Sequence, residues 1–413
     1  MSRYLANIFI VISVVVALAI LGGLVWVNTL YVRSQPVDKN FLVPWLGART
    51  FLQYGESPYD TPATQRAQIV YYGRVASAEQ DPLLLWLPFP VELFYFPFAL
   101  FPDYSLARAA WMTCLEIALI ALAFLSLRLI GWRPSRTLLP LVLLFSIFWV
   151  YGAISLASGS GAGFAAVAMA GFLLAFRDGH DELAGALLLL TGVVPSLTGL
   201  VLFFFLWWVI FKRRWRILGG LLMGLVLLLA LSFLFLPSWF VPFLRGLISH
   251  FSHDSALSSV RIFTSWSPVV GLRLGWVLAG LLLLLLFVEW GAAMRDESRH
   301  VVWTVCLTVA VMPLMGVLTT SANYVILFIP LMILLDILVG HRPAPKRWGS
   351  AGFLLIGLFI GLWALTIVLV VVHAPAALSQ TLFLLLPILL VPSLYWVRWR
   401  FTRSPKPELE ISP

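Results

Sequence analysis

The sequence predicts an all-α, polytopic membrane protein of about 12 transmembrane helices. Three observations carry this. Of 413 residues, 61% are hydrophobic and 11% charged, where an average soluble domain has about 25% charged residues. Apolar runs of about 18 residues or more recur along the whole chain, each long enough to cross the hydrocarbon core. Backbone groups in lipid must be satisfied within their own segment, so runs of this length read as helices.

The runs fall at 5–28, 83–101, 104–130, 137–155, 161–177, 183–211, 217–237, 268–288, 301–318, 323–339, 350–373 and 381–398. The first is too long for a signal-peptide core and lacks a cleavage site, so it reads as an uncleaved span. The loops WRPSR (132–136), KRRWR (212–216), HRPAPKR (341–347) and the tail RWRFTRSPK (398–406) are basic. Positive loops stay cytoplasmic, which puts both termini inside a plasma-membrane protein. The net charge of +9 therefore reports topology and not a nucleic-acid partner. Cys114 and Cys306 both lie in apolar runs and suit packing, not a disulfide framework or metal site.

Parity singles out two segments. The loop 31–82 is expected outside and WRPSR inside, so only one full crossing fits between them. The stretch PLLLWLPFPVELFYFPFALFP (82–102) is broken by Pro88, Pro90 and Pro97 and reads as an interfacial or re-entrant hairpin. The run 183–211 has flanks that both belong inside. Two half-helices meeting near Thr191 to Ser196 satisfy this, and non-helical backbone at membrane depth points to a cavity. The domain reading is a main membrane region over 1–340 that includes the outer loop 31–103, a C-terminal helix pair over 341–398, and a disordered cytoplasmic tail over 399–413.

Candidate chemistry gathers on the outer face. VDKNFLVPWLGARTFLQYGESPYD (37–60) reads as a short amphipathic helix beginning near Pro44 and stopped by Gly55, then a tight turn at Pro58. Asp38, with Asn40 beside it, is either a general base on a sugar hydroxyl or a hydrated loop residue. Arg49, Arg66 and Arg74 can bind a lipid phosphate or meet anionic headgroups without selectivity. Tyr59 and Asp60 belong to the same loop. Glu92 in the Pro-rich hairpin and Glu116 within a span are functional candidates by depth; for Glu116 the alternative is an interhelical hydrogen bond to Thr or Trp. His250, His253 and Asp254 share a second outer loop, where phosphate or sugar binding, metal ligation and a plain surface role all remain open. SGSGAG (158–163) offers helix-start amides to an anion or small residues to close packing. Asn323 and Tyr324 begin a late span and either face a cavity or anchor the helix in the interface.

The order of these pieces resembles the GT-C superfamily of integral-membrane glycosyltransferases, and within it glycosyltransferase family 87, which uses polyprenyl-phosphate mannose. NFLVPWLGARTFLQYGESPYD resembles the family's first-loop pattern. FPVELFYFPFALFP followed by YSLARAAW resembles its aromatic-Pro hairpin and next span, and TTSANYVILFIPLMILL its late loop-to-span junction. Aligned on Ala48-Arg49, position 40 is Asn where the family has Asp. Ser158-Gly159-Ser160-Gly161 replaces a Gly-Gln pair, and Val194-Pro195 a Lys-Pro pair.

The resemblance implies an outer loop and hairpin over a membrane-facing cavity. In it a sugar such as mannose moves from a polyprenyl-phosphate-linked donor to a glycan or glycolipid acceptor among the membrane lipids, without cofactor or metal. Asp38 and Asn40 then take the catalytic position, and Arg49, Arg66, His250 and His253 the donor phosphate. Tyr59, Asp60, Glu92, Asp254, Asn323 and Tyr324 line the cavity. The rival readings are a non-catalytic lipid-binding or assembly protein of the same fold and a transporter or flippase, although no inverted repeat is visible.

The loop assignment predicts that Ser57→Cys reacts with a membrane-impermeant thiol reagent applied to intact cells. Labelling of that position only after the cytoplasmic face is opened contradicts it.

Overall fold

A computed structural model describes residues 3–77, 79–253, 259–295, 298–315, 320–340, 342–373 and 383–402, and every element among them is helical. In chain order these are α1 (Arg3–Arg33), α2 (Lys39–Tyr54), α3 (Thr61–Tyr72), α4 (Phe89–Glu92), a 3₁₀ turn (Leu93–Tyr95) and α5 (Phe96–Ala99). There follow α6 (Tyr104–Leu129), α7 (Leu138–Phe148), α8 (Val150–Ser158), α9 (Ala162–Arg177), α10 (Asp181–Thr191), α11 (Pro195–Lys212) and α12 (Trp215–Phe235). Next come α13 (Phe240–His253), α14 (Ser259–Trp266), α15 (Pro268–Ala293), α16 (Ser298–Met315), a second 3₁₀ stretch (Ser321–Leu327), α17 (Phe328–Val339), α18 (Ala344–Val371) and α19 (Leu385–Thr402).

Six helices among the described residues are long and apolar enough to span a membrane: Ile12–Arg33, Tyr104–Leu129, Trp215–Phe235, Pro268–Ala293, Ser321–Val339 and Lys346–Val371. The bent pair α7–α8, with 49° between its halves, makes a seventh. The protein is thus a polytopic, all-helical membrane protein, with fewer full-length spans than the 12 expected. The difference lies in the apolar runs that fold as short helices, which have composition without length. The Pro-rich stretch at 82–102 is not a span at all: Pro88, Pro90 and Pro97 cut it into α4, the first 3₁₀ turn and α5.

The chain divides into two compact units, one of Met1–Ile117, Leu156–Ser160 and Leu227–Asp254, the other of Ala118–Ser155, Gly161–Val226 and Ser255–Pro413. In the first, α2 and α3 follow α1, and α2 packs both on α3 and on the Pro-rich turns. The start of α2 is set by Asp38, whose carboxylate accepts the Asn40 amide at 2.8 Å. The helix therefore begins five residues before Pro44, the expected start: a good N-cap decides the boundary, and Pro44 is carried inside the helix. Gly55 ends α2 in the left-handed conformation, φ 67°, as expected of a C-terminal glycine. Lys39 pairs with Asp81 at 2.6 Å, and Gln68 donates to Pro82 O at 2.8 Å, closing the loop onto itself. On α13, Gly246 lies against the Leu85 carbonyl with no room for a side chain.

In the second unit the run at 183–211 breaks where the flanking charges required. α10 ends at Thr191, and α11 begins at Pro195. The start of α10 is tied to the start of α12: Asp181 pairs with Arg214, just before α12, and Glu182 with Arg216 at 2.7 Å. Glycines permit the approach, since Gly185 on α10 abuts the Ile217 carbonyl and Gly220 on α12 abuts that of Glu182. Deeper in this unit, Glu289 on α15 accepts from Arg398 and Tyr395 on α19, at 2.9 and 3.1 Å. Asp336 on α17 accepts from Trp132 and, at 2.8 Å, from Arg347. Such part-buried polar contacts join helices without relying on apolar packing, which lipid does not drive.

Gly219 and Gly220 give a paired test. A side chain at Gly220 meets backbone, whereas nothing lies within 4 Å of one at Gly219. Overpacking costs about 1–3 kcal/mol, so Gly220→Ala lowers the thermal midpoint in detergent by a few degrees. Gly219→Ala leaves it unchanged or raises it, alanine being the better helix former.

Candidate functional site

The first unit builds its polar centre from the start of α2, the start of α6 and the end of α8. Tyr104 and Arg108 lie one turn apart on α6 and so share a face. The Tyr104 hydroxyl accepts the Asp38 amide at 3.1 Å and an Arg108 guanidinium nitrogen at 2.7 Å. Arg108 also donates to the Ala157 carbonyl, and Trp111 to the Gly159 carbonyl at 3.0 Å. Helix ends leave carbonyls unpaired and favour a cation there, so α6 supplies donors to the end of α8. Asn40 adds a long contact, 3.5 Å from its amide nitrogen to Ser158 O.

Aromatic rings hold this junction. Phe41 is fully buried, with ring centroids of Trp111, Tyr104 and Tyr95 at 5.7, 5.9 and 6.1 Å. Gly159 has φ 63°, and a Cβ there would sit 3.0 Å from Phe41 Cβ. Conformation and space both demand glycine.

Asp38 is half-buried. Burial raises its carboxyl above the usual range, while the Asn40 amide and the Arg108 charge pull it back. Arg108 is 2% exposed, and its Nε has no hydrogen-bond partner among the described residues. Arg108, Tyr104 and Trp111, all within YSLARAAW, are not among the residues that the sequence marks as candidates. The signal was an arginine placed just inside an apolar run, where an ionisable group is a candidate by default.

The other predicted residues divide. Arg49 donates to Phe101 O at 2.6 Å, and Arg66 pairs with Glu56 at 2.8 Å and bonds Thr50 at 3.2 Å. Both arginines line one open groove between α2 and α3, of about 280 Å³, which Asp38 and Asn40 do not line. Tyr59 donates to Leu87 O at 2.8 Å, while Asp60 is an exposed N-cap of α3 with no side-chain capping bond. Arg74 is exposed and reaches only Val75 O, at 3.2 Å. Glu116 accepts from Asn28 at 3.1 Å, an interhelical bond of the kind expected, with Asn as the donor. Asn323 and Tyr324 are buried in the second unit, where Tyr324 packs 5.3 Å from Tyr151. Asp254 and the side chains of His250 and His253 lie outside the described residues. Among the described residues no three His, Cys, Asp or Glu converge as a metal site.

Glu92 is the most constrained carboxyl of the first unit. It is wholly buried beside Gly47, where a Cβ would come 2.8 Å from its Oε1. The Ala48 amide offsets a little of the burial, yet neither oxygen has a hydrogen-bond partner of normal geometry. Desolvation therefore raises this carboxyl well above the ordinary range and favours its protonated form. The folded state binds this proton more tightly than the unfolded chain, so the associated stability is complete below the unfolded value. It is lost as pH rises toward the folded value. Glu92→Gln should flatten the fall of thermal midpoint with rising pH and be the more stable form at neutral pH. An unchanged pH profile contradicts the assignment of a neutral Glu92.

Scans of protein-family models, of curated proteins and of solved structures each find no match to this chain.

Proposed function

We propose that the protein is a membrane glycosyltransferase that moves a sugar from a polyprenyl-phosphate donor to a glycan or glycolipid acceptor on the outer face of the plasma membrane. The observation that supports it most is Asp38. This half-buried carboxylate is fixed by its own helix cap and by Tyr104, beside the Arg108 charge, just beyond the first membrane helix. In the reaction Asp38 takes the proton of the acceptor hydroxyl. The acceptor oxygen attacks the anomeric carbon, the bond from that carbon to the phosphate oxygen breaks, and polyprenyl phosphate leaves with the electron pair. Arg108 favours the ionised base. The resemblance to glycosyltransferase family 87 suggests mannose as the sugar.

The topology that goes with this reading adds the shorter apolar helices α9, α16 and α19, of 16 to 18 residues, to the seven candidate spans α1, α6, α7–α8, α12, α15, the second 3₁₀ stretch with α17, and α18, for ten crossings. The α10–α11 pair enters and returns on the cytoplasmic side, because α10, at about 16 Å, is too short for a core of about 30 Å. An even number keeps both termini cytoplasmic, in agreement with the basic loops. A second reading, a non-catalytic lipid-binding protein of the same architecture, is favoured by one observation. Position 40 is an exposed amide, and the two candidate phosphate-binding arginines line a groove without Asp38.

Purified protein incubated with a radiolabelled polyprenyl-phosphate sugar and a membrane glycolipid extract separates the two. The transferase releases polyprenyl phosphate, and Asp38→Asn lowers turnover by about 10²–10⁴-fold with donor binding nearly intact. Release that is equally fast without Asp38 removes it as the base. Binding without any release selects the non-catalytic reading.

A further inference from the structure

The groove between α2 and α3 holds charge that the Asp38 centre does not use. Arg49, Gln53, Tyr54, Arg66, Ile69 and Val70 line it. Arg66 is offset by Glu56 at 2.8 Å. Arg49 has no carboxylate partner among the described residues; it donates to a backbone carbonyl and lies 5.4 Å from the Trp45 ring centroid. The groove therefore carries a net positive charge open to an anion.

Its walls are apolar and bare. Tyr54, Ile69 and Val70 are 60%, 52% and 48% exposed, and Leu52 and Tyr71 extend the patch. These side chains stand on helices of 16 and 12 residues, neither of which passes as a membrane span. An exposed apolar patch of this kind marks contact with something other than water. A guanidinium at the margin of such a patch matches the phosphate level of a lipid whose chain lies along the apolar part. A volume of about 280 Å³ suits a headgroup and the beginning of a chain, being near the lower end of small-molecule sites.

We propose that this groove seats the headgroup phosphate of an anionic phospholipid as a bound, non-reacting ligand. Arg49 and Arg66 contact the phosphate, and an acyl chain starts along Ile69 and Val70. The site stands whether or not the protein transfers sugar.

Binding to the full-length protein in detergent, read by native mass spectrometry, tests it with phosphatidylglycerol, phosphatidylcholine and inorganic phosphate as probes. Phosphatidylglycerol should be held at least tenfold more tightly than phosphatidylcholine, and millimolar inorganic phosphate should not displace it. Each of Arg49→Gln and Arg66→Gln should weaken phosphatidylglycerol by about fivefold. Ile69→Asn with Val70→Asn, on the exposed face of α3, should weaken it comparably and is the deciding variant if loss of the Arg49–Phe101 bond unfolds the loop. Equal affinity for the two lipids overturns the proposal, as does full competition by inorganic phosphate, which assigns the groove to a free anion. Unchanged phosphatidylglycerol binding in the α3 variant overturns it too, since the lipid then sits elsewhere.

Discussion

The Arg108 guanidinium is the constraint on which the outer part of the first unit depends. It is almost wholly buried, and among the described residues its hydrogen bonds go to a phenol and a helix-end carbonyl. A buried charge costs heavily unless its donors are engaged. Tyr104 and the end of α8 must therefore stay where they are. The Tyr104 oxygen in turn fixes the Asp38 amide, so the start of α2 is held to α6 at its first residue. Trp111 and Gly159 repeat the link one turn further along. The result is a carboxylate of defined position at the end of a membrane helix.

Two further features follow from crowding rather than charge. Gly47 lets α2 approach Glu92, and that approach buries the Glu92 carboxyl completely. Gly185 and Gly220 let α10 and α12 meet backbone to backbone. In both places a side chain would separate elements whose polar groups are already committed. Close approach through small residues is the usual means of joining helices where no water is expelled.

The fold class was legible because hydropathy and length are coarse and dominant: α1, α6, α12, α15 and α18 are plain in the sequence. The break at 192–194 was legible from charge parity alone, since RDGHDE and KRRWR belong on one side. The number of full-length spans was not, because the length of α10 depends on where Gly192 and Pro195 stop it. The start of α2 differs from the expectation because two start signals compete, Pro44 and the Asp38 cap, and the cap prevails. Of the site, Asp38 was legible as the first acidic residue beyond a span. Its partnership with Tyr104 and Arg108, 66 and 70 residues onward, was not. No local pattern encodes a contact between a loop and the start of a later helix. Arg49 and Arg66 were legible as cations, but only folding places them in a groove of their own.

The central claim is that the Asp38–Tyr104–Arg108 arrangement is where a lipid-linked sugar reacts. A structure of the protein in lipid nanodiscs with a non-hydrolysable polyprenyl-phosphate sugar analogue bound tests it most directly. The account predicts the sugar within hydrogen-bond reach of the Asp38 carboxylate. An analogue seated away from Asp38, with that carboxylate facing solvent alone, contradicts it.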